Sequence, residues 1–133
     1  MRGLASLLNG AALSLLFAGC SKMPPLPPPP LTQIEAQVIA RSCVFSSCHS
    51  GVTGAGGLDL KTGAYDHLVN AKSMQVPTRL RVMPGDPDAS YLIEKLTLPK
   101  PTVGQRMPPG SEPLPEEEIE MFREWIAGGA LNN

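Results

Sequence analysis

Two cysteines and a histidine lie close together near the middle of the chain, at Cys43, Cys48 and His49. Cysteine thiols can add to the vinyl groups of haem, and an imidazole directly after the second cysteine can ligate the haem iron. The usual spacing has two residues between the cysteines, whereas this chain has four. The residues therefore predict covalent haem attachment at Cys43 and Cys48, with His49 as the proximal iron ligand.

The wider gap between the cysteines constrains the backbone that joins them. On an α-helix, residues five apart are separated by about 140° around the axis, so both thiols would not face one haem edge. We therefore expect residues 44–47 to leave helical geometry. Ser46 and Ser47 favour this, because serine side chains compete for backbone hydrogen bonds and promote turns.

The same residues also fit two kinds of site that contain no haem. Two cysteines in an exported protein form a disulfide by default, so Cys43 could pair with Cys48 and leave His49 as a surface residue. A zinc site would need a fourth ligand in addition to these three, and the only other imidazole is that of His67. The motif alone leaves the disulfide open as an alternative to haem.

A methionine in the second half of the chain is suited to complete the iron coordination. A haem iron with one histidine ligand commonly takes a thioether as the other. Met107 is flanked by prolines and a glycine, whereas a methionine on a helix face usually fills a core. We predict Met107 as the distal ligand and Met83 as the second candidate, ahead of Met74 and Met121. Ligation by His67 would instead give a bis-histidine centre of lower potential.

The N-terminal residues are typical of an exported lipoprotein. Arg2 gives a positive start, and residues 4–18 are mainly apolar but too short and interrupted to span a membrane. This pattern predicts a signal peptide at residues 1–19. Two small residues directly before Cys20 resemble the lipobox of bacterial lipoproteins, in which the cysteine is lipidated. Ordinary signal cleavage is the alternative.

A proline-rich linker is predicted to separate the lipid anchor from the folded domain. Six of the seven residues at 24–30 are proline, which favours an extended polyproline II conformation. The predicted organisation is a lipid-anchored Cys20 with a linker over residues 20–31, followed by a single domain over residues 32–133. The expected location is the bacterial cell envelope, on a membrane and facing the periplasm.

Composition narrows the functional classes. The net charge is −1, and no stripe of basic residues occurs that would neutralise phosphates, so no nucleic-acid partner is expected. Aromatic residues make up only 5% of the chain, so a domain of this size buries little apolar surface. A buried haem or a disulfide would compensate for the small core. No nucleophile–base pair is evident, which favours an electron carrier over an enzyme.

Hydrophobic spacing and capping signals predict an all-α domain with about four short helices. The first is expected to start with a capping box formed by Thr32 and Glu35, and the third with Asp86 as N-cap and Pro87 in the first turn. A long loop rich in proline and glycine is predicted over residues 98–115. The predicted helices cover residues 33–42, 64–70, 87–96 and 115–127.

Taken together, these segments resemble bacterial monohaem cytochrome c domains, close to class I cytochromes c. The matching segments are residues 43–49, 57–60, 64–70, 84–87 with 90–92, 107–109 and 125–130. The resemblance implies a cytochrome c-like fold around one covalent haem c, with Cys43 and Cys48 attached to it and His49 and Met107 as axial ligands. It also implies that the first helix packs across the last.

The function expected from this resemblance is electron transfer to redox protein partners or to a membrane electron-transfer complex. Two alternatives remain open at the level of the sequence. One is a haem sensor or enzyme whose distal iron position is open. The other is a haem-free lipoprotein with a disulfide between Cys43 and Cys48, acting as a binding or structural module.

Overall fold

The computed structural model describes residues 24–45, 48–51 and 53–133. This part of the chain is a small, mostly helical domain with four helices and no sheet, which confirms the predicted all-α class at that level. Helix α1 comprises an α-helical turn at Leu31–Ile34, a π-helical segment at Glu35–Ile39 and an α-helical turn at Ala40–Ser42. The other helices are α2 at Ala64–Leu68, α3 at Tyr91–Thr97 and α4 at Glu116–Ala127.

The predicted signal peptide at residues 1–19 and the lipidation site at Cys20 lie outside the described residues. Among the helices that are described, none has the length and the apolar character needed to cross a lipid bilayer.

The start of α1 differs from the predicted capping box. The helix begins at Leu31 with Pro30 as its N-cap, and no side chain of the flanking residues caps it. Instead, the Leu31 amide donates to Oδ1 of Asn133 at 3.2 Å, and the Thr32 amide donates to the Asn133 carbonyl at 3.0 Å. Asn133, which is distant in sequence, thus accepts hydrogen bonds from two free amides of the first turn, so Thr32 is not needed as a local cap.

The predicted start of the third helix was also wrong. Asp86 and Pro87 belong to a turn, and α3 begins only at Tyr91, because Ser90 is extended with φ −78° and ψ 119°. The buried hydroxyl of Ser90 accepts from the Met83 amide at 2.9 Å and donates to the Asp86 carbonyl at 2.8 Å. These tertiary bonds stabilise the turn in preference to the helix that Asp-Pro locally favours.

The other two helices agree more closely with their predicted limits. Helix α2 ends at Leu68, two residues early, because Val69 turns extended and forms a short parallel bridge with Val82. Helix α4 starts one residue later than predicted, after Pro115, and ends at Ala127 as expected. Residues 98–115 contain no helix, in agreement with the predicted loop.

Helix α4 packs against α1, as the family resemblance implied for the first and last helices, and also against α3, and the core forms around these contacts. Trp125 and Phe122 are its largest members, each 2% exposed. The indole N–H of Trp125 donates to the Leu131 carbonyl at 2.9 Å, and Arg41 pairs with Glu118 at 2.6 Å beside the same contact. The remaining buried side chains from α1 and α4 are Leu31, Ile34, Val38, Ile39, Ile119 and Ile126.

The proline-rich linker packs on the domain at its C-terminal end. A Cβ added to Gly128 would lie 2.6 Å from Cγ and 3.1 Å from Cβ of Pro28, so the two residues are in close contact. Pro29 and Pro30 are half-buried, whereas residues 24–28 are exposed. The end of the linker is therefore fixed against the C-terminus of α4 rather than extending freely from the domain.

We predict that Gly128→Ala destabilises the protein by about 1–3 kcal/mol, because the new methyl group overlaps Pro28. Gly128 has an ordinary φ of −74°, so the backbone itself tolerates alanine. In a Pro28→Gly background the same change should be neutral or stabilising by about 0.4–1 kcal/mol. Urea unfolding of the four proteins in this cycle measures the coupling. Equal effects of Gly128→Ala in both backgrounds would show that the linker does not rest on this residue.

Candidate functional site

The cysteine–histidine motif directly follows the end of α1. Cys43 is the C-cap of the helix, and its amide still donates to the Ile39 carbonyl at 3.0 Å. Val44 and Phe45 lie outside any helix, as the haem hypothesis required of this segment. The predicted turn residues Ser46 and Ser47 lie outside the described residues.

Backbone hydrogen bonds hold the second half of the motif in a compact loop. The His49 amide donates to the Cys43 carbonyl at 3.2 Å, which closes the loop between the two ends of the motif. Ala55 donates to the Cys48 carbonyl at 2.7 Å, and Leu60 donates to the His49 carbonyl at 2.9 Å. His49 is thereby fixed on both sides, so its ring has a defined place although it belongs to no helix.

Two adjoining cavities open beside this loop. The inner one has a volume of about 110 Å³ and is mainly apolar. The outer one is a wider cleft of about 610 Å³, within the range of about 300–1,000 Å³ typical of ligand pockets. The residues that line both cavities are Cys43, His49, Ala55, Leu96 and Met107.

The four residues predicted to hold haem all line the outer cleft. Cys43 and Cys48 come from the motif loop together with His49, and Met107 comes from the proline-rich loop before α4. Cys43 is half-buried and Cys48 is exposed. The imidazole of His49 and the thioether of Met107 are far apart in the sequence, and the fold brings them to one cavity.

The structure separates the two methionine candidates. Met107 is partly buried and packs against the core, and its amide donates to the Lys95 carbonyl at 2.7 Å. Met83 is 37% exposed and lines neither cavity, since its backbone is bound to Ser90 in the turn before α3. Met107 is therefore the better placed of the two for a role shared with His49.

The other ligand candidates also lie away from the cleft. Met74 is 68% exposed, and its sulfur rests over Gly57. Met121 packs at the edge of the helical core, and His67 lies on α2 with its carbonyl bonded to Arg81. None of these three side chains lines either of the cavities that the described residues form.

The electrostatics of the motif favour neutral groups. Burial raises the pKa of the Cys43 thiol to about 11, and Glu118 and Cys48 add to this shift. Burial also lowers the pKa of His49, while backbone groups of Leu58 and Ala55 act in the opposite direction. At neutral pH the site therefore holds a protonated thiol and an uncharged imidazole, which is the form of histidine that binds metals.

One ring nitrogen of His49 has no partner within the described part of the protein. Its Nδ1 is buried and makes no hydrogen bond there. An unsatisfied buried polar atom costs free energy comparable to a lost hydrogen bond, so it is uncommon away from functional sites. The unpaired Nδ1 atom therefore indicates that the position of His49 is not explained by hydrogen bonds that stabilise the fold.

Two cations at the inner cavity were not included in the predicted site. Arg81 and Lys95 both line it, and its lining contains no carboxylate. Both lower the pKa of His49 by their charge. The burial of Lys95 could have been predicted from the sequence. It follows Tyr91 by four residues on α3, so the two side chains share the buried face of the helix. The surroundings of Arg81 depend on contacts that no local pattern indicates.

The shape and chemistry of the two cavities fit haem. Leucines from several elements provide the apolar walls that a large flat macrocycle requires, and two cations but no carboxylate line the inner cavity, which suits the acidic substituents of haem. The nitrogen of His49 and the thioether of Met107 are a common ligand pair for haem iron. The leucines that line the inner cavity are Leu58, Leu60, Leu68, Leu92 and Leu96.

Two observations concern the haem-free alternatives. The structure has Cys43 and Cys48 as free thiols. Within residues 24–45, 48–51 and 53–133, no three histidine, cysteine or carboxylate side chains are grouped so that they could hold a metal ion.

Comparisons with known proteins, by family models, curated sequences and solved structures, found no match to this chain.

Arg81 forms hydrogen bonds with three backbone carbonyls beside the inner cavity. Its guanidinium donates to the carbonyls of His67 at 2.9 Å, Gly56 at 3.0 Å and Gly57 at 3.1 Å. We predict that Arg81→Ala lowers the free energy of unfolding by about 1–3 kcal/mol, because charge-assisted bonds to three carbonyls are lost. Urea unfolding measures this, and exposed Lys72→Ala should stay within about 0.5 kcal/mol of wild type.

An Arg81→Lys variant tests whether the planar guanidinium matters. A single ammonium cannot reproduce the forked geometry, so lysine should recover less than half of the stability lost in Arg81→Ala. A lysine variant as stable as the wild type would show that charge alone accounts for the contribution of Arg81.

Proposed function

We propose that this protein is an exported monohaem c-type cytochrome that carries one electron at a time. The observation that carries the proposal is the convergence of Cys43, Cys48, His49 and Met107 on one cleft, although the last of them lies on a different loop. The cytochrome c-like fold that the sequence resembles is part of the same proposal. A lipid on Cys20 would hold the domain at a membrane of the cell envelope.

Each residue of the cleft has a separate role in this proposal. Cys43 and Cys48 would retain the cofactor through thioether bonds. Their formation by addition of a thiol S–H across a vinyl C=C bond would need no oxidant. His49 and Met107 would hold the iron. When bound, haem supplies an iron that changes its oxidation state by one electron.

The protein's own contribution lies in orientation and exclusion of water. The loop bonds of His49 and the bond from the Met107 amide to the Lys95 carbonyl fix the backbone of the two ligand-bearing segments. The apolar lining lowers the local dielectric constant, and a thioether ligand favours the reduced iron, so both would act on the potential. A small rearrangement on electron transfer is expected, because neither segment is free to move.

The charge states in the motif argue against a hydrolytic cysteine–histidine pair. Such a nucleophile needs a thiolate of lowered pKa beside a histidine that accepts its proton. Here burial raises the pKa of Cys43 to about 11 and lowers that of His49. Both shifts oppose the formation of a thiolate–imidazolium pair, so electron transfer remains the better explanation of this site.

Mass spectrometry and absorption spectroscopy of protein purified from its native host test the proposal. We expect one haem mass on a proteolytic peptide that contains both Cys43 and Cys48, and the spectrum of a six-coordinate c-type haem. Acid–acetone extraction should leave the pigment on the protein. A colourless protein, or complete loss of pigment on extraction, would reject covalent haem attachment.

Paired methionine variants test the distal ligand. We predict that Met107→Ala removes the spectral signature of thioether ligation, lowers the reduction potential and allows rapid CO binding, because the sixth position is opened. Met83→Ala is the matched control and should leave all three properties unchanged, since Met83 lies outside the cleft. A wild-type protein that already binds CO rapidly would favour a sensor or enzyme with an open distal site.

A further inference from the structure

The loop that carries Met107 is attached to α3 at three points. The Thr102 amide donates to the Glu94 carboxylate, and the Met107 amide donates to the Lys95 carbonyl at 2.7 Å. Between these two points, the Val103 carbonyl accepts from the Lys95 ammonium at 2.9 Å. These three bonds are made by Glu94 and Lys95, which are adjacent residues of α3.

Lys95 is buried, whereas Lys61, Lys72 and Lys100, the other lysines that the structure describes, are exposed. Lys95 is 7% exposed, and the backbone of Gly104, which has φ of +74°, passes close to its Nζ. Burying an ammonium is costly unless it is well hydrogen-bonded. The neighbouring carboxylate of Glu94 is engaged by Arg79 and by the Thr102 amide. The charge of Lys95 is thus directed at the loop backbone rather than at a carboxylate.

Prolines restrict where the loop can bend. Pro99 and Pro101 stiffen the segment before Thr102, and the segment after Met107 begins with two further prolines. The remaining freedom lies in residues 102–106, and the bond from Lys95 to Val103 falls within this stretch. Tyr91 adds a second bond to the same carbonyl, at 3.3 Å.

From this geometry we infer that Lys95 is a positioning residue, whose buried ammonium holds the Val103 carbonyl so that the loop keeps Met107 in the cleft. The inference rests on the proposed function, because it explains how the distal ligand is kept in place. The backbone bond from Met107 to Lys95 is independent of the side chain. Substitution of Lys95 therefore removes its side-chain bond to Val103 and does not directly alter the other bonds between the loop and α3.

Lys95→Met is the direct test in the haem-containing full-length protein. We expect the fraction of molecules without Met107 ligation to rise about tenfold to a hundredfold, as for the loss of one charge-assisted hydrogen bond. The ferric thioether signature weakens, the reduction potential shifts toward that of Met107→Ala, and CO binding accelerates. Exposed Lys100→Met, in the same loop region, is the matched control and changes none of these.

A second variant covers the case in which Lys95→Met does not fold. Tyr91→Phe keeps the ring in place and removes the hydroxyl together with its bonds to the Val103 carbonyl and to Gln75. It should shift the same properties in the same direction by about fivefold. Lys95→Arg retains a charged donor and should restore part of the Met107 ligation. Folded Lys95→Met and Tyr91→Phe proteins with wild-type spectra, potentials and CO kinetics would overturn the inference.

Amide hydrogen exchange separates this inference from the proposed function. If the purified protein contains no haem, the proposed function fails, but the loop bonds can still be measured in the same chain. Lys95→Met should then speed exchange at the Met107 amide by about tenfold or more, whereas Lys100→Met should not. Unchanged exchange at Met107 in the folded Lys95→Met protein would reject the positioning role irrespective of haem.

Discussion

The packing of α1 against α4 is the interaction on which the rest of this domain depends. With few aromatic residues in the chain, most of the buried volume comes from Trp125, Phe122 and the aliphatic side chains that face them. Each large apolar side chain that is fully buried contributes about 1.5–3 kcal/mol. This contact also brings the two ends of the domain together, so that Asn133 caps α1 and Pro28 rests on Gly128.

The position of the candidate site follows from that packing. Helix α1 ends at the motif, so its fixed C-terminus sets where Cys43 lies, and the loop before α4 is held at one end by the same pair of helices. The cleft is thus formed between two loops that have rigid supports. Burial in this cleft raises the pKa of the Cys43 thiol and lowers that of the His49 imidazole, so both groups favour their uncharged forms.

Helix α3 supplies the hydrogen bonds that hold the loop carrying Met107, whose side chain also packs against the core. Residues 98–115 form a loop without helix, and ordering it costs conformational entropy. Hydrogen bonds to the backbone of the loop offset that cost. The short helix supplies them through Glu94 and Lys95, at the cost of burying a lysine. This arrangement would allow the proposed ligand to be held firmly by few contacts, because the prolines have already removed most of the loop's freedom.

The sequence by itself determined the helical class, the end of α1 at the motif and nearly the full extent of α4, because apolar periodicity and proline positions act over a few residues. It also singled out Cys43, Cys48, His49 and Met107, which share the lining of the outer cleft, since cysteine, histidine and a loop methionine are distinctive in type and spacing. The start of α1, the turn at Asp86 and the hydrogen bonding of the buried Lys95 were decided by the tertiary structure. In each case the deciding hydrogen bond involves a residue outside the local segment, and such partners cannot be predicted from the local sequence. These partners are Asn133 for α1, the Ser90–Met83 pair for the turn and Val103 for Lys95.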